Sequence, residues 1–174
     1  MPSAYRGSCL CNSVEYEITG EPFTFFVCHC NNCKKASGAA FMSNAFFKSN
    51  VCILFHESTG CAFLTILIQQ VMVLKGSEHI QRYRDNDTAS GRAVIRCFCP
   101  QCGSNLFLEN DNNDFIIVAT GTLDDRVDWG NFSLPKNFSR LIIFHCVLAP
   151  RREGFPDRKT HWITGINLSP KSKL

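Results

Sequence analysis

Three cysteines stand within six residues at Cys28-His29-Cys30-Asn31-Asn32-Cys33. A thiolate is a soft, anionic ligand, and three of them this close together suit one zinc ion. A structural zinc is closed by four protein ligands, whereas a catalytic zinc keeps one position open for water or substrate. The cluster offers three sulfurs and no obvious local fourth, which points to a zinc held open for chemistry. Closure by a distant cysteine, or by His29, is the competing arrangement. His29 suits that role poorly, because a side chain between two ligating cysteines tends to point away from the metal.

A second motif lies at Cys97-Phe98-Cys99-Pro100-Gln101-Cys102-Gly103. Cys-x-x-Cys followed by Gly is a zinc-knuckle pattern: the tight turn aims backbone N–H groups at the sulfurs, and Gly tolerates the positive φ that follows. Near the start, Cys9-Leu10-Cys11 would place both sulfurs on one face if it lay on a strand. Cys9 and Cys11 with Cys99 and Cys102 would make a four-thiolate site coupled directly to folding. Cys-x-Cys-x-x-Cys occurs twice, however, at Cys28–Cys33 and at Cys97–Cys102. Spacing alone leaves open which triplet takes Cys9 and Cys11. Cys97 is either a ligand or a small buried hydrophobe.

The elements that must position these residues read as short strands. Val14-Glu15-Tyr16-Glu17-Ile18 alternates apolar and polar, as a half-buried strand does. Gly20-Glu21-Pro22 is a turn. Phe23–Val27 delivers the Cys28 cluster to its far end, and Lys34–Gly38 is a loop or a single helical turn. Ala39–Phe47, Val71–Leu74, His79–Tyr83, Ala93–Ile95, Asn105–Leu108, Phe115–Ala119 and Leu141–Leu148 are further strands. Arg84–Gly91 and the charged Arg151–Lys159 read as loops. Lys48–Gln70 is apolar but irregular. Many short strands and little helix predict a mainly β fold. With no linker long enough to divide the chain, one domain is expected over residues 5–165, followed by a tail over 166–174.

Composition narrows the function classes. The 174 residues can bury a real core, and 45% hydrophobic with 19% charged residues is ordinary for a globular protein. A net charge of +3 with no basic block gives no reason to expect nucleic acid. The apolar run Cys61–Leu74 is broken by Gln69-Gln70 and falls short of the ~20 residues a spanning helix needs, so no membrane partner is expected. Eleven cysteines without a secretory leader suggest metal rather than disulfides. Ser172-Lys173-Leu174 at the end of the sequence matches the address read by the peroxisomal import receptor. The expected partner is that receptor and the expected location the peroxisomal matrix, or otherwise the cytoplasm.

Taken in order, Gly7-Ser8-Cys9-Leu10-Cys11, Cys28-His29-Cys30-x-x-Cys33, Arg96-x-Phe98-Cys99-x-x-Cys102-Gly103 and Gly121-Thr122-Leu123-Asp124 resemble the glutathione-dependent formaldehyde-activating enzyme family. This domain family also includes a centromere-associated chromatin protein. The resemblance runs from Tyr5 to about Trp162. It implies a mainly β, Mss4-like fold of short antiparallel strands stapled by zinc–cysteine sites, with two zinc ions per chain. A structural zinc would be held by Cys9, Cys11, Cys99 and Cys102, and a catalytic zinc by Cys28, Cys30 and Cys33, leaving Cys97 a bystander. The implied activity is formation of S-hydroxymethylglutathione from glutathione and formaldehyde, described in reverse as a carbon–sulfur lyase. Lys34 and Lys35 are candidates to meet the carboxylates of the thiol, or else form a solvated charge pair. Two stretches depart from the family pattern, Lys48–Gln70 and Trp129–Ala149. A zinc-stabilised, non-catalytic binding module is the alternative function, and a metal or redox buffer a third.

Overall fold

The computed structural model describes residues 4–49, 51–55, 64–112, 114–125, 152–164 and 166, with backbone alone at 51–55, 64–68 and 152. The expected strand Leu141–Leu148, the departing stretch Trp129–Ala149 and the Ser172-Lys173-Leu174 tail lie outside these residues. Asn50 and residues 56–63 of Lys48–Gln70 lie outside them too.

The described chain is mainly β. Strands β1 (Ala4–Ser8), β2 (Glu15–Thr19) and β7 (Val71–Lys75) form an antiparallel sheet in the order β1-β2-β7. The expected strands around Phe23–Val27, Ala39–Phe47, Ala93–Ile95, Asn105–Leu108 and Phe115–Ala119 all form, as β3 (Thr24–Cys28), β4 (Met42–Lys48), β9 (Val94–Phe98), β10 (Asn105–Glu109) and β11 (Phe115–Ala119). With β8 (Gln81–Asp85) and β12 (Arg152–Gly154) they make a seven-stranded sheet, ordered β12-β3-β4-β11-β10-β9-β8. Within Lys48–Gln70, β5 (Val51–Phe55) and β6 (Leu64–Ile68) pair as an antiparallel ribbon.

Two segments expected as loops form strands, and His79, expected in a strand, instead ends a 3-10 turn over Ser77–His79. Arg84-Asp85, expected in a loop, end β8, where Asp85 pairs with Val94. Arg152–Gly154, also expected in a loop, run parallel to β3, with Arg152 opposite Phe26 and Gly154 opposite Cys28. Neither strand carries an apolar alternation, so register and neighbours decided them rather than local pattern.

The seven-stranded sheet has a core on each face, and the period-two alternation of its strands sorts residues between them. On one face Ala45, Phe47, Ile95, Cys97, Ile116 and Val118 pack with Tyr16, Ile18 and Val71 of the smaller sheet. On the other face Met42, Val94, Leu108, Ile117 and Ala119 pack with Cys28, Cys30 and Cys33. Helix α1 (Asn31–Ser37) belongs to this second face. It is two turns long where a loop or a single turn was expected.

A buried polar cluster fixes α1 against β8 and β9. Arg96 donates from Nε and Nη2 to Asp85 Oδ2 at 3.0 and 2.8 Å. Asn32 of α1 donates to Asp85 Oδ1 and Oδ2 at 3.1 and 3.0 Å, and to the Asp87 carbonyl at 2.6 Å. Burial alone would push the Asp85 carboxyl up, but the bonds from Asn32 and Arg96 prevail and hold it below its usual range. A carboxyl lowered by folding stabilises the fold above its unfolded value, about pH 4, and that contribution fades as pH falls through the folded value. Removing one partner of a buried pair leaves the other uncompensated, at about 3–5 kcal/mol. Asp85→Asn is therefore expected to lower urea stability by roughly 3 kcal/mol at pH 7. The gap to wild type should narrow below about pH 4. A gap of constant size across pH 3–7 would show that the Asp85 charge is not the stabilising feature.

Candidate metal centres

Two turns nearly ninety residues apart build the first cysteine group. Cys9 and Cys11 lie beyond the end of β1, in a tight turn in which the Cys9 N–H donates to the Val14 carbonyl at 3.0 Å and Asn12 takes a φ of 57°. The expectation that they lie on a strand is corrected here: the turn, not strand alternation, brings their sulfurs to 3.5 Å. The second turn follows β9. The Gly103 N–H donates to the Cys99 carbonyl at 2.8 Å, and Gly103 has the positive φ expected of it, 74°. Ser104 bridges the two turns, its hydroxyl accepting from the Leu10 N–H at 3.0 Å. All four sulfurs of Cys9, Cys11, Cys99 and Cys102 lie within 4.8 Å of one another.

The surroundings favour a thiolate at Cys9 and Cys102, whereas at Cys11 the Ser13 bonds are outweighed by burial and by the neighbouring Cys9 and Cys102, which leave its thiol raised. The Cys102 thiol is pulled down to about 5, chiefly by the Ser104 hydroxyl. At Cys9 burial opposes ionisation, but the Ser13 hydroxyl and the Val14 N–H prevail and bring it to about 7. Cys97 is not part of the group. It points from β9 into the core, fully buried, and burial pushes its thiol up to about 12.

The second group sits on the opposite face of the large sheet. Cys28 ends β3, Cys30 caps α1 and Cys33 lies inside it. Cys30 has an extended backbone, and its sulfur accepts from the Cys33 N–H at 3.3 Å, the position usually filled by a Ser, Thr, Asp or Asn oxygen. The three sulfurs lie within 4.8 Å of one another. Among the described residues no fourth His, Cys, Asp or Glu joins them. The residues are only 4–7% exposed. A hydrogen bond from Cys33 draws the Cys28 thiol down to about 6, and Cys33 is pushed up in turn because its proton is held between the two sulfurs. Three neighbouring thiols in a buried site resist ionising together, and a divalent cation removes that conflict. Both donor sets fit zinc: four sulfurs close one site, and three leave a position free in the other.

His29 stays outside the second group, as expected of a residue between two ligands. It is fully buried, with Nε2 3.5 Å from Glu153 Oε1 and its ring edge-on to Phe41. Its N–H donates to the Gly154 carbonyl at 3.0 Å. Lys34 donates to the Arg158 carbonyl at 2.9 Å, and Phe155 packs against the three-cysteine core. Residues 153–158 thus wall the site. The sequence predicts a charged loop here, because no apolar alternation marks residues 153–158.

Two cavities flank α1. One, of about 580 Å³, is lined by residues that include Phe41, Met42, Ser43, Ala119 and Thr122. The other, of about 510 Å³, is lined by residues that include Asn32, Tyr83, Asp85, Asp87 and Arg96. Lys35, Ala36 and Asn105 line both. Met42 and Ala119 also pack against the three cysteines, so the first cavity comes within one layer of side chains of the sulfurs.

The described chain is a mainly β fold with two separate groups of converging cysteines, each with a donor set able to hold a metal ion. The model of the glutathione-dependent formaldehyde-activating enzyme family matches residues 4–133, and the chain belongs to that family. It is also similar to a crystal structure of a Rhodobacter sphaeroides protein, with a TM-score of 0.45 and 17% identity, over 68% of this chain and 87% of the other. No curated protein matches the sequence.

Reduced protein reconstituted with zinc is expected to carry one ion at each of the two groups, read by atomic emission. Cys30→Ala should lose one ion and keep its circular dichroism. Cys99→Ser should lose one ion and its cooperative unfolding transition, since a structural site couples to folding. Full zinc content in Cys30→Ala would remove the three-cysteine site from consideration.

Proposed function

We propose that this chain joins a small thiol, glutathione or a near relative, to formaldehyde. The sulfur forms a bond to the carbonyl carbon, the carbonyl π bond opens, and the thiol proton ends on the new hydroxyl. The reverse reaction is a carbon–sulfur lyase step. The observation that carries this reading is the three-cysteine group: buried, without a fourth protein ligand among the described residues, and next to a cavity of substrate size. Family membership supports it.

Cys28, Cys30 and Cys33 would hold the zinc. When bound, it would supply a position that favours a thiolate over a thiol. The chain's own residues do the rest. The Cys30 cap and the parallel β12 pairing fix the three sulfurs on rigid elements. Phe41, Met42 and Ala119 give the near cavity the apolar part of its lining. Ser43, already hydrogen-bonded to Thr120, presents a hydroxyl on the same wall that can donate to an aldehyde oxygen. Two small reactants held in one cavity gain chiefly from proximity.

Adduct formation in water is appreciable without a catalyst, so the measurement should be of exchange. In NMR exchange spectroscopy of glutathione with formaldehyde, catalytic zinc-loaded protein is expected to speed interconversion with S-hydroxymethylglutathione. Cys30→Ala should return the rate to background. Two zinc ions per chain with no acceleration would favour the non-catalytic binding module instead.

A further inference from the structure

The cavity between α1 and the β8–β9 strands has no part in the reaction as written, yet a residue of its lining carries a buried donor with no partner among the described residues. Arg96 is 7% exposed and lines this cavity. Its Nε and Nη2 are satisfied by Asp85, but Nη1 is buried with no hydrogen-bond partner among the described residues. A buried, unpaired guanidinium N–H is costly and calls for an acceptor, best an anionic one. Asp85 cannot serve further, because Asn32 and Arg96 already occupy it.

The charges around the cavity specify more than an anion. Lys35, exposed on α1, adds a second cation. Asp87 adds a carboxylate whose oxygens bond to no described residue; Asn32 binds its backbone carbonyl instead. Two cations and two carboxylates balance, which disfavours a polyanion and suits a group carrying both signs. We propose that this cavity seats the zwitterionic α-amino-acid end of the thiol substrate. Arg96 and Lys35 face its carboxylate, and Asp87 faces its ammonium.

Reach is consistent with this. The two cavities share the wall formed by Lys35, Ala36 and Asn105, and the other one abuts Met42 and Ala119 beside the cysteines. In a γ-glutamyl thiol the sulfur stands on the second residue, so the α-amino-acid end lies roughly 7–8 Å from it along an extended chain. A γ-glutamyl thiol can therefore keep its sulfur end in the inner cavity and its amino-acid end at Arg96. Nη1 is shielded from water, so the ligand meets it as the lining adjusts; Lys35 and Tyr83, both exposed, have room to move.

The inference rests on the thiol–aldehyde reading, and the test separates the two. Calorimetric titration of the zinc-loaded full chain would use S-methylglutathione, which keeps the charged ends but cannot react. It would then compare γ-glutamylcysteine with cysteinylglycine. S-methylglutathione should bind, γ-glutamylcysteine should match glutathione within about threefold, and cysteinylglycine should bind at least about tenfold more weakly. Lys35→Gln and Asp87→Asn, both at exposed positions, should each weaken S-methylglutathione roughly three- to tenfold without shifting the unfolding midpoint. Arg96→Lys should weaken it about tenfold or more, since a point charge replaces the planar fork. Equal binding of cysteinylglycine, no binding of S-methylglutathione, or wild-type affinity in both surface variants would overturn the subsite. Selective binding without accelerated exchange would overturn the enzymatic reading and leave the subsite standing. Accelerated exchange with no preference for γ-glutamyl thiols would do the opposite.

Discussion

The convergence of Cys9 and Cys11 with Cys99 and Cys102 is the constraint on which the described structure depends. It closes a loop that contains β2 to β9 and the whole of the other cysteine group. The turns that supply the sulfurs are short and internally hydrogen-bonded, so the sulfurs are placed by backbone rather than by flexible side chains. Gly76 adds to this. Its φ of 73° and its approach to Ser13, where a Cβ would lie 2.0 Å from the carbonyl oxygen, press β7 against the first turn. Closing a long loop costs only slightly more than closing a short one, so a link at these four sulfurs can govern much of the chain.

The large sheet then separates two kinds of chemistry. Neighbouring residues on one strand serve opposite faces: Cys97 goes to the apolar core and Arg96 to the polar cluster beside α1. On β11, Val118 packs with the smaller sheet and Ala119 with the three cysteines. A one-residue slip in either strand would exchange these assignments. The geometry of the candidate site is therefore a property of sheet register, and α1 only completes it.

Much of this was legible in the sequence, for reasons that differ by element. The alternation Val14–Ile18 read directly as β2 because one face is buried and the other is not. Gly103 read as a knuckle residue because its φ excludes most other side chains. The seven ligand candidates fell into two sets only through family resemblance, since Cys28–Cys33 and Cys97–Cys102 have the same spacing. The structure brings both sets together as that resemblance implied. Other features had no local signature. Gln81–Asp85 is polar, and only pairing with Val94–Phe98 makes it a strand. Helix α1 is capped by a sulfur, outside the residue types that announce a helix start. Arg96 was visible as a motif residue, but its role in holding Asp85 and lining a cavity depends on residues from α1 and β8.

The parallel pairing of β12 with β3 has a consequence in time. Cys28, Cys30 and Cys33 leave the ribosome early, and Gly154, which accepts the bond from the His29 N–H, is still unmade. Sheet neighbours β4 and β11 are available before it, as are all four sulfurs of the other group. The inner face of the three-cysteine site is therefore walled last, when Glu153, Gly154 and Phe155 arrive. Until that moment a nascent chain presents three adjacent thiols with one side uncovered, open both to metal loading and to oxidation.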